Sequence, residues 1–220
     1  MNITQKNYLA MHKHTNIQNK GFLDLLTGGV ADCFTSEYGS IKEYYLCDEI
    51  GDASNYIQWF HDIRNSRPND IIKIHINCPG GNLFTTIQFM QALAETESHI
   101  IVSVEGACMS AATLIFLLAD EYMITDHSMF MFHNYSAGTA GKGGEMYHGM
   151  VHERNWSAKL FKDMYSDFLS ETEIQAMLED KDIWMDAHEV LERLEKRGKK
   201  IQNRNRIENK NKGKDAKHTK

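Results

Sequence analysis

The chain has 220 residues, 42% of them hydrophobic and 10% aromatic, which is enough to bury a core and makes one domain the default count. No apolar run reaches the roughly 20 residues of a membrane span, the longest being Ala111–Ala119, and the first twenty residues are polar, without the apolar centre of a secretory signal. The net charge of −6 is unevenly spread: residues 196–220 hold eleven Lys/Arg against Glu208 and Asp215, a surplus of nine, which leaves −15 on the rest.

Residues 1–40 hold no strong period, only the short apolar piece Phe22–Leu26. Glu43–Cys47 is aromatic-rich and reads as a strand, and Asp52–Arg64 as a helix with Ile57, Phe60 and Ile63 at helical spacing. Ile71–Asn77 is a β-branched strand broken by Pro79-Gly80-Gly81. Leu83–Glu95 is expected to be helical with Ile87, Met90, Leu93 and Ala94 on its buried face. Ile100–Val104 is a strand followed by Gly106, and Ala111–Ala119, apolar all round, is a buried helix. Glu121–Ile124 and Ser128–Phe132 are short strands, and the glycine-rich Gly138–Gly144 precedes a long amphipathic helix, Glu145–Phe168. Ser170 with Glu173 forms a capping-box pattern for the next helix, and Asp186 is an N-cap for the last, which runs to Gly198. Strands alternating with helices imply an α/β fold of βαβ units, divided here into residues 1–40, a folded domain over 41–195, and the basic stretch 196–220. That stretch is Asn-rich and poor in large apolar residues, so it is expected to be disordered, as a solubilising tail or an arm for nucleic acid or another anionic partner. The four cysteines, Cys33, Cys47, Cys78 and Cys108, form no C-x-x-C pair, so no metal is expected, and they read as reduced thiols of a cytoplasmic protein.

Three segments carry chemistry. Ser110 sits among small residues (Ala107, Ala111, Ala112) at the start of an apolar helix, where it can be a helix cap or a nucleophile, and the local pattern does not separate the two. His133 ends an apolar strand just before the glycine-rich loop and is the preferred base among eleven histidines, since a neutral imidazole activates a serine hydroxyl. The backbone of Gly80 and Gly81 can approach a substrate closely, and with the amide after the nucleophile, that of Ala111, would form an oxyanion hole. A carboxylate should orient His133, and the segment Met177–Trp184 offers Asp180 and Asp182; spacing does not choose between them.

The ordered set Ile76–Gly81, Gly106–Ala112, Met131-Phe132-His133, the glycine-rich loop with its long helix, and Ile183–Val190 resembles the proteolytic subunit of the Clp protease, the ClpP family. The resemblance covers residues 44–194 and implies a crotonase-type α/β fold with a protruding strand–helix handle, here Gly138–Gly144 and Glu145–Phe168. It implies a serine endopeptidase acting on peptides or unfolded proteins, with Ser110 as nucleophile, His133 as base, and Gly81 (Gly80 adjacent) and Ala111 as oxyanion amides. For the carboxylate it implies Asp180, three after Met177, with Asp182 the alternative because few residues precede Trp184. It also implies seven-membered rings stacked in pairs around a chamber, no cofactor in this chain, and an unfoldase ATPase as the partner that feeds folded proteins to it. Cys78 stands where the family commonly has serine, Cys108-Met109 where small residues are usual, and Asn134-Tyr135 where Gln-Pro is common. These are marks of a divergent member, and a phage-encoded one fits them. Two other readings are a crotonase-like acyl-CoA enzyme, which needs no Ser–His pair, and a non-catalytic ring or assembly subunit. The latter would keep Ser110 and His133 more than about 5 Å apart.

Overall fold

A computed structural model of the chain describes residues 39–199. The apolar piece Phe22–Leu26 and the basic stretch from residue 200 onward lie outside the described residues. Six strands form one sheet in the order β1-β2-β3-β5-β6, with β4 also on β3. β1 (Ile41–Leu46), β2 (Ile71–Cys78) and β3 (His99–Met109) are parallel neighbours. β4 (Glu121–Ile124) and β5 (Met129–Phe132) both run parallel to β3, while β6 (Ile183–Asp186) is antiparallel to β5. The parallel pairs are joined through α1 (Ile57–Arg64), α2 (Leu83–Glu95) and α3 (Ala111–Phe116). This is the α/β architecture expected from the alternating pattern.

The length of β3 organises the site. Its first half, Ile101–Val104, pairs with β4, and its second, Ala107–Met109, with β5. The sequence suggests a stop at Val104 because Gly106 follows. Gly106 is instead a close approach: a Cβ there would collide with the Asn77 side chain, whose Oδ1 accepts the Ala107 N–H at 3.0 Å. The strand therefore continues across its glycine and delivers Ser110 beyond the end of β2 and level with the last residue of β5.

One face of the sheet is the core. Ile72, Ile74, Ile76, Val102, Val104, Cys108, Phe130 and Phe132 are buried there against Leu114, Ile115 and Phe116 of α3. Tyr56, Trp59, Phe60 and Phe89 pack edge to face or tilted between α1 and α2. The buried residues of α2 are Thr85, Thr86, Phe89, Ala92 and Leu93, so its inward face is rotated from the one expected: Leu93 is shared, and Ile87 and Ala94 are only partly covered. Thr86 can lie inside because its Oγ1 donates to the Asn82 carbonyl at 3.0 Å, which satisfies a hydroxyl that hydropathy counts as outward-facing.

α4 (Gly143–Tyr165) is the long helix, and α5 (Glu171–Leu178) carries the capping box of Ser170 and Glu173. The last helix, α6, covers 187–199, with Asp186 Oδ1 accepting the Glu189 N–H at 2.9 Å. Residues 196–199, grouped with the basic stretch in the sequence, thus continue the helix. Arg197 is buried and donates to the Leu117 carbonyl and the Tyr122 hydroxyl, both at 2.9 Å. No described helix is long and apolar enough to cross a membrane.

Candidate active site

Ser110 follows the last residue of β3 and precedes α3, but its side chain makes no capping bond. Its backbone sits at φ 54°, ψ −128°, a region that non-glycine residues rarely occupy. Several bonds hold it there. The Ser110 N–H donates to the Met131 carbonyl at 2.8 Å. Its own carbonyl accepts the Thr113 N–H at 3.0 Å and the Thr113 hydroxyl at 2.6 Å. Thr113 in turn shares a 2.7 Å hydrogen bond with the Tyr165 hydroxyl at the end of α4. Burial drives the Tyr165 phenol well above its ordinary range, so it stays a neutral partner. Such over-determination is what lets a strained residue persist, and the result is a sharp strand-to-helix turn that projects a serine hydroxyl outward.

The hydroxyl meets His133. Ser110 Oγ lies 2.6 Å from His133 Nε2. His133 is the first residue past β5, on the same side of the sheet as Met129 and Met131. The antiparallel register pairs Phe132 with Ile183 and Met131 with Trp184. One step further places His133 opposite Asp182, on the same face. His133 Nδ1 and Asp182 Oδ1 are accordingly 3.9 Å apart. Asp180 goes elsewhere: its Oδ1 accepts from Asn134 Nδ2 at 2.9 Å, and among the described residues no hydrogen bond or ion pair joins it to His133. The structure thus brings Ser110, His133 and Asp182 into one row and sets Asp180 beside it.

Two successive glycines turn the chain after β2, with φ 109° at Gly80 and 136° at Gly81. A Cβ on Gly80 would come within 2.6 Å of Ser110 Cβ and 3.1 Å of its Oγ. Ile50 bridges to Gly81 as an isolated parallel pair, its N–H donating to the Gly80 carbonyl and its carbonyl accepting from the Asn82 N–H, both at 2.7 Å. In this pattern the N–H of Gly81 itself points away from Ile50. The Gly80 N–H is directed to the Cys78 sulfur at 3.4 Å. Of the three amides named from the sequence, Gly80's therefore already has an acceptor. Ala111, as the first residue of α3, has an N–H with no intrahelical acceptor. Burial raises the thiols of Cys78 and Cys108, which keeps them protonated and poor as nucleophiles beside the serine.

The model of the Clp protease family matches residues 45–193. The chain belongs to the Clp protease family. The match runs from β1 into α6 and encloses Gly80, Gly81, Ser110, Ala111, His133, Asp180 and Asp182. At this level the chain is a ClpP-type peptidase, a hydrolase. A search of curated proteins found no match. Within the ClpP-type fold, Thr113, Tyr165 and Ile50 support the site without having stood out in the sequence. Nothing about a threonine inside an apolar helix, or an isoleucine in a loop, announces a contact made through space. Asn134 carried a faint signal, as a polar residue directly after the candidate base.

Proposed function

We propose that the chain is a serine endopeptidase in which Ser110 is the nucleophile, His133 the general base and acid, and Asp182 the carboxylate that orients His133. The observation that carries this reading is the 2.6 Å approach of Ser110 Oγ to His133 Nε2 on a strained turn whose hydroxyl caps no helix. A non-catalytic subunit would need the two held apart, and an acyl-CoA enzyme would need no such pair.

The chemistry follows from which atoms face each other. With its proton on Nδ1, toward Asp182, the imidazole presents the Nε2 lone pair to the Ser110 hydroxyl. Nε2 takes that proton as Oγ attacks the scissile carbonyl. The carbonyl oxygen becomes an oxyanion, to which the Gly81 and Ala111 amides would donate. His133 then returns the proton to the leaving amine as the C–N bond breaks, giving an ester on Ser110. A water, deprotonated by Nε2, attacks the ester and releases the acid and the free serine. Asp182 stabilises the imidazolium formed at each stage; closure of its present separation by about 1 Å makes that contact a hydrogen bond. Each oxyanion donor is worth about 2.7–4 kcal/mol of barrier in enzymes where one was removed.

The same reading makes the active form an oligomeric chamber fed with unfolded chains or peptides by an unfoldase, as the family resemblance implies. It is supported by the protruding first half of α4, where Tyr147, Met150 and Val151 are 66, 56 and 42% exposed. The decisive test is labelling with a fluorophosphonate, which forms a covalent adduct only on an activated serine. Wild type should label and Ser110→Ala should not, with equal circular dichroism for both. Labelling of Ser110→Ala at the wild-type rate, or none of the wild type, would overturn the proposal.

A further inference from the structure

The ladder between β5 and β6 ends at Phe132 and Ile183, so backbone pairing does not fix the separation of His133 and Asp182 just beyond it. One side-chain bond crosses the gap past that row. Asn134 Nδ2 donates to Asp180 Oδ1 at 2.9 Å, while Asn134 Oδ1 accepts the Tyr135 N–H at 3.0 Å. Both ends of the amide are thereby committed, and its orientation is set.

The backbone at Asp180 makes its identity informative. α5 ends at Leu178, the Asp180 N–H donates to the Met177 carbonyl and the Lys181 N–H to the Ala176 carbonyl, both at 3.0 Å. These two bonds, with Asp180 at φ 67°, are a Schellman cap in which Asp180 holds the left-handed position. Glycine is the residue such a position favours, because a Cβ there costs about 1–2 kcal/mol. The chain has placed an aspartate there, and its carboxylate reaches across to Asn134.

We infer that Asn134 and Asp180 form a clasp that holds the segment after β5 against the turn before β6, so that His133 and Asp182 face each other. Both are positioning residues that act through His133. The inference rests on the Ser110–His133–Asp182 reading and gives Asp180 a role other than the orienting carboxylate.

The test compares the rate of fluorophosphonate labelling, and the melting temperature, of four variants in the full chain. Asp180→Gly relieves the backbone conformation but breaks the clasp: its melting temperature should hold or rise while labelling slows about 10- to 100-fold, a misplacement of roughly 1 Å costing up to that much. Activity and stability then move apart, which a purely structural role does not produce. Asp180→Asn keeps an oxygen acceptor and tolerates the left-handed conformation, so it should label within about threefold of wild type. Asn134→Ala should slow labelling as Asp180→Gly does, and the two combined should be no slower than either alone. Wild-type labelling by Asp180→Gly would overturn the clasp. Asp180→Asn as slow as Asp180→Gly would also overturn it, since the charge of Asp180 would then be acting on His133 directly. Failure of the peptidase reading shows differently, as absent labelling of wild type. In that case the clasp is still read by the melting temperatures of the Asn134/Asp180 cycle, where additive changes would show that no bond joins the two.

Discussion

Gly80 and Ser110 occupy one volume. A methyl group at Gly80 would lie 2.6 Å from Ser110 Cβ, and φ 109° is a conformation a side chain resists. Gly80→Ala must therefore push the turn away from Ser110, carrying the Gly81 amide with it. The expected outcome is a drop of about 100-fold in fluorophosphonate labelling with the fold retained by circular dichroism. Labelling at the wild-type rate would mean that the turn and Ser110 are not in contact. At this scale much of the site was legible in the sequence. Ser110 stands among small residues at the start of an apolar helix, His133 ends an apolar strand, and Pro79-Gly80-Gly81 marks a backbone that must come close to something. The choice between Asp180 and Asp182 was not legible, because they differ only in their place opposite His133. That place depends on the register of β5 with β6, a strand of four residues to which the sequence pattern assigns no element.

The elements that flank this carboxylate are tied by charge. Glu173, at the start of α5, accepts Arg193 Nη1 at 3.0 Å and Nη2 at 2.7 Å from α6, while Arg193 Nη2 also donates to Glu189 at 2.7 Å. The same carboxylate takes the Ser170 N–H at 2.8 Å, completing the capping box. The Arg193 hydrogen bonds, reinforced by those from Ser170, hold the Glu173 carboxyl down at about 2, from an ordinary 4.5. A carboxyl depressed in the folded state adds stability that is complete above 4.5 and is lost as the pH falls from 4.5 toward 2. Glu173→Gln should therefore be less stable than wild type by about 1–2 kcal/mol at pH 6 in denaturant titrations, and the gap should shrink by more than half near pH 3. An equal gap at both pH values would separate the pair from any role in stability. The capping box and the N-cap at Asp186 were readable because they are local, a side chain reaching its own helix. The partner at Arg193, twenty residues away, was not, and neither was the full length of β3. Gly106 reads as a breaker until Asn77 of the neighbouring strand is seen to fill the space above it.

For the molecule as a whole, α4 is the helix whose first half its own fold leaves uncovered. Its 23 residues span about 34 Å at 1.5 Å each, yet none from Gly143 to Trp156 is buried by this chain. Tyr147, Met150 and Val151 recur at helical spacing and make one exposed apolar stripe. A helix that projects without support from its own fold needs cover. In the oligomer proposed above, a second copy of the chain related by a two-fold axis would bring the same stripe to meet it. In the proposed stacked pair of rings this contact would join the rings, with contacts around each ring made by other surfaces. Replacing Tyr147 and Met150 together by glutamate places charges in the stripe while leaving the buried residues from Ser157 onward untouched. Glutamate favours helix, so α4 itself should survive. In native mass measurements the wild type is expected at a multiple of 25.3 kDa and the double variant at half that multiple, with unchanged helical content. An unaltered mass would mean that the stripe is not the junction, and a wild type at one chain mass would remove the chamber from the proposal.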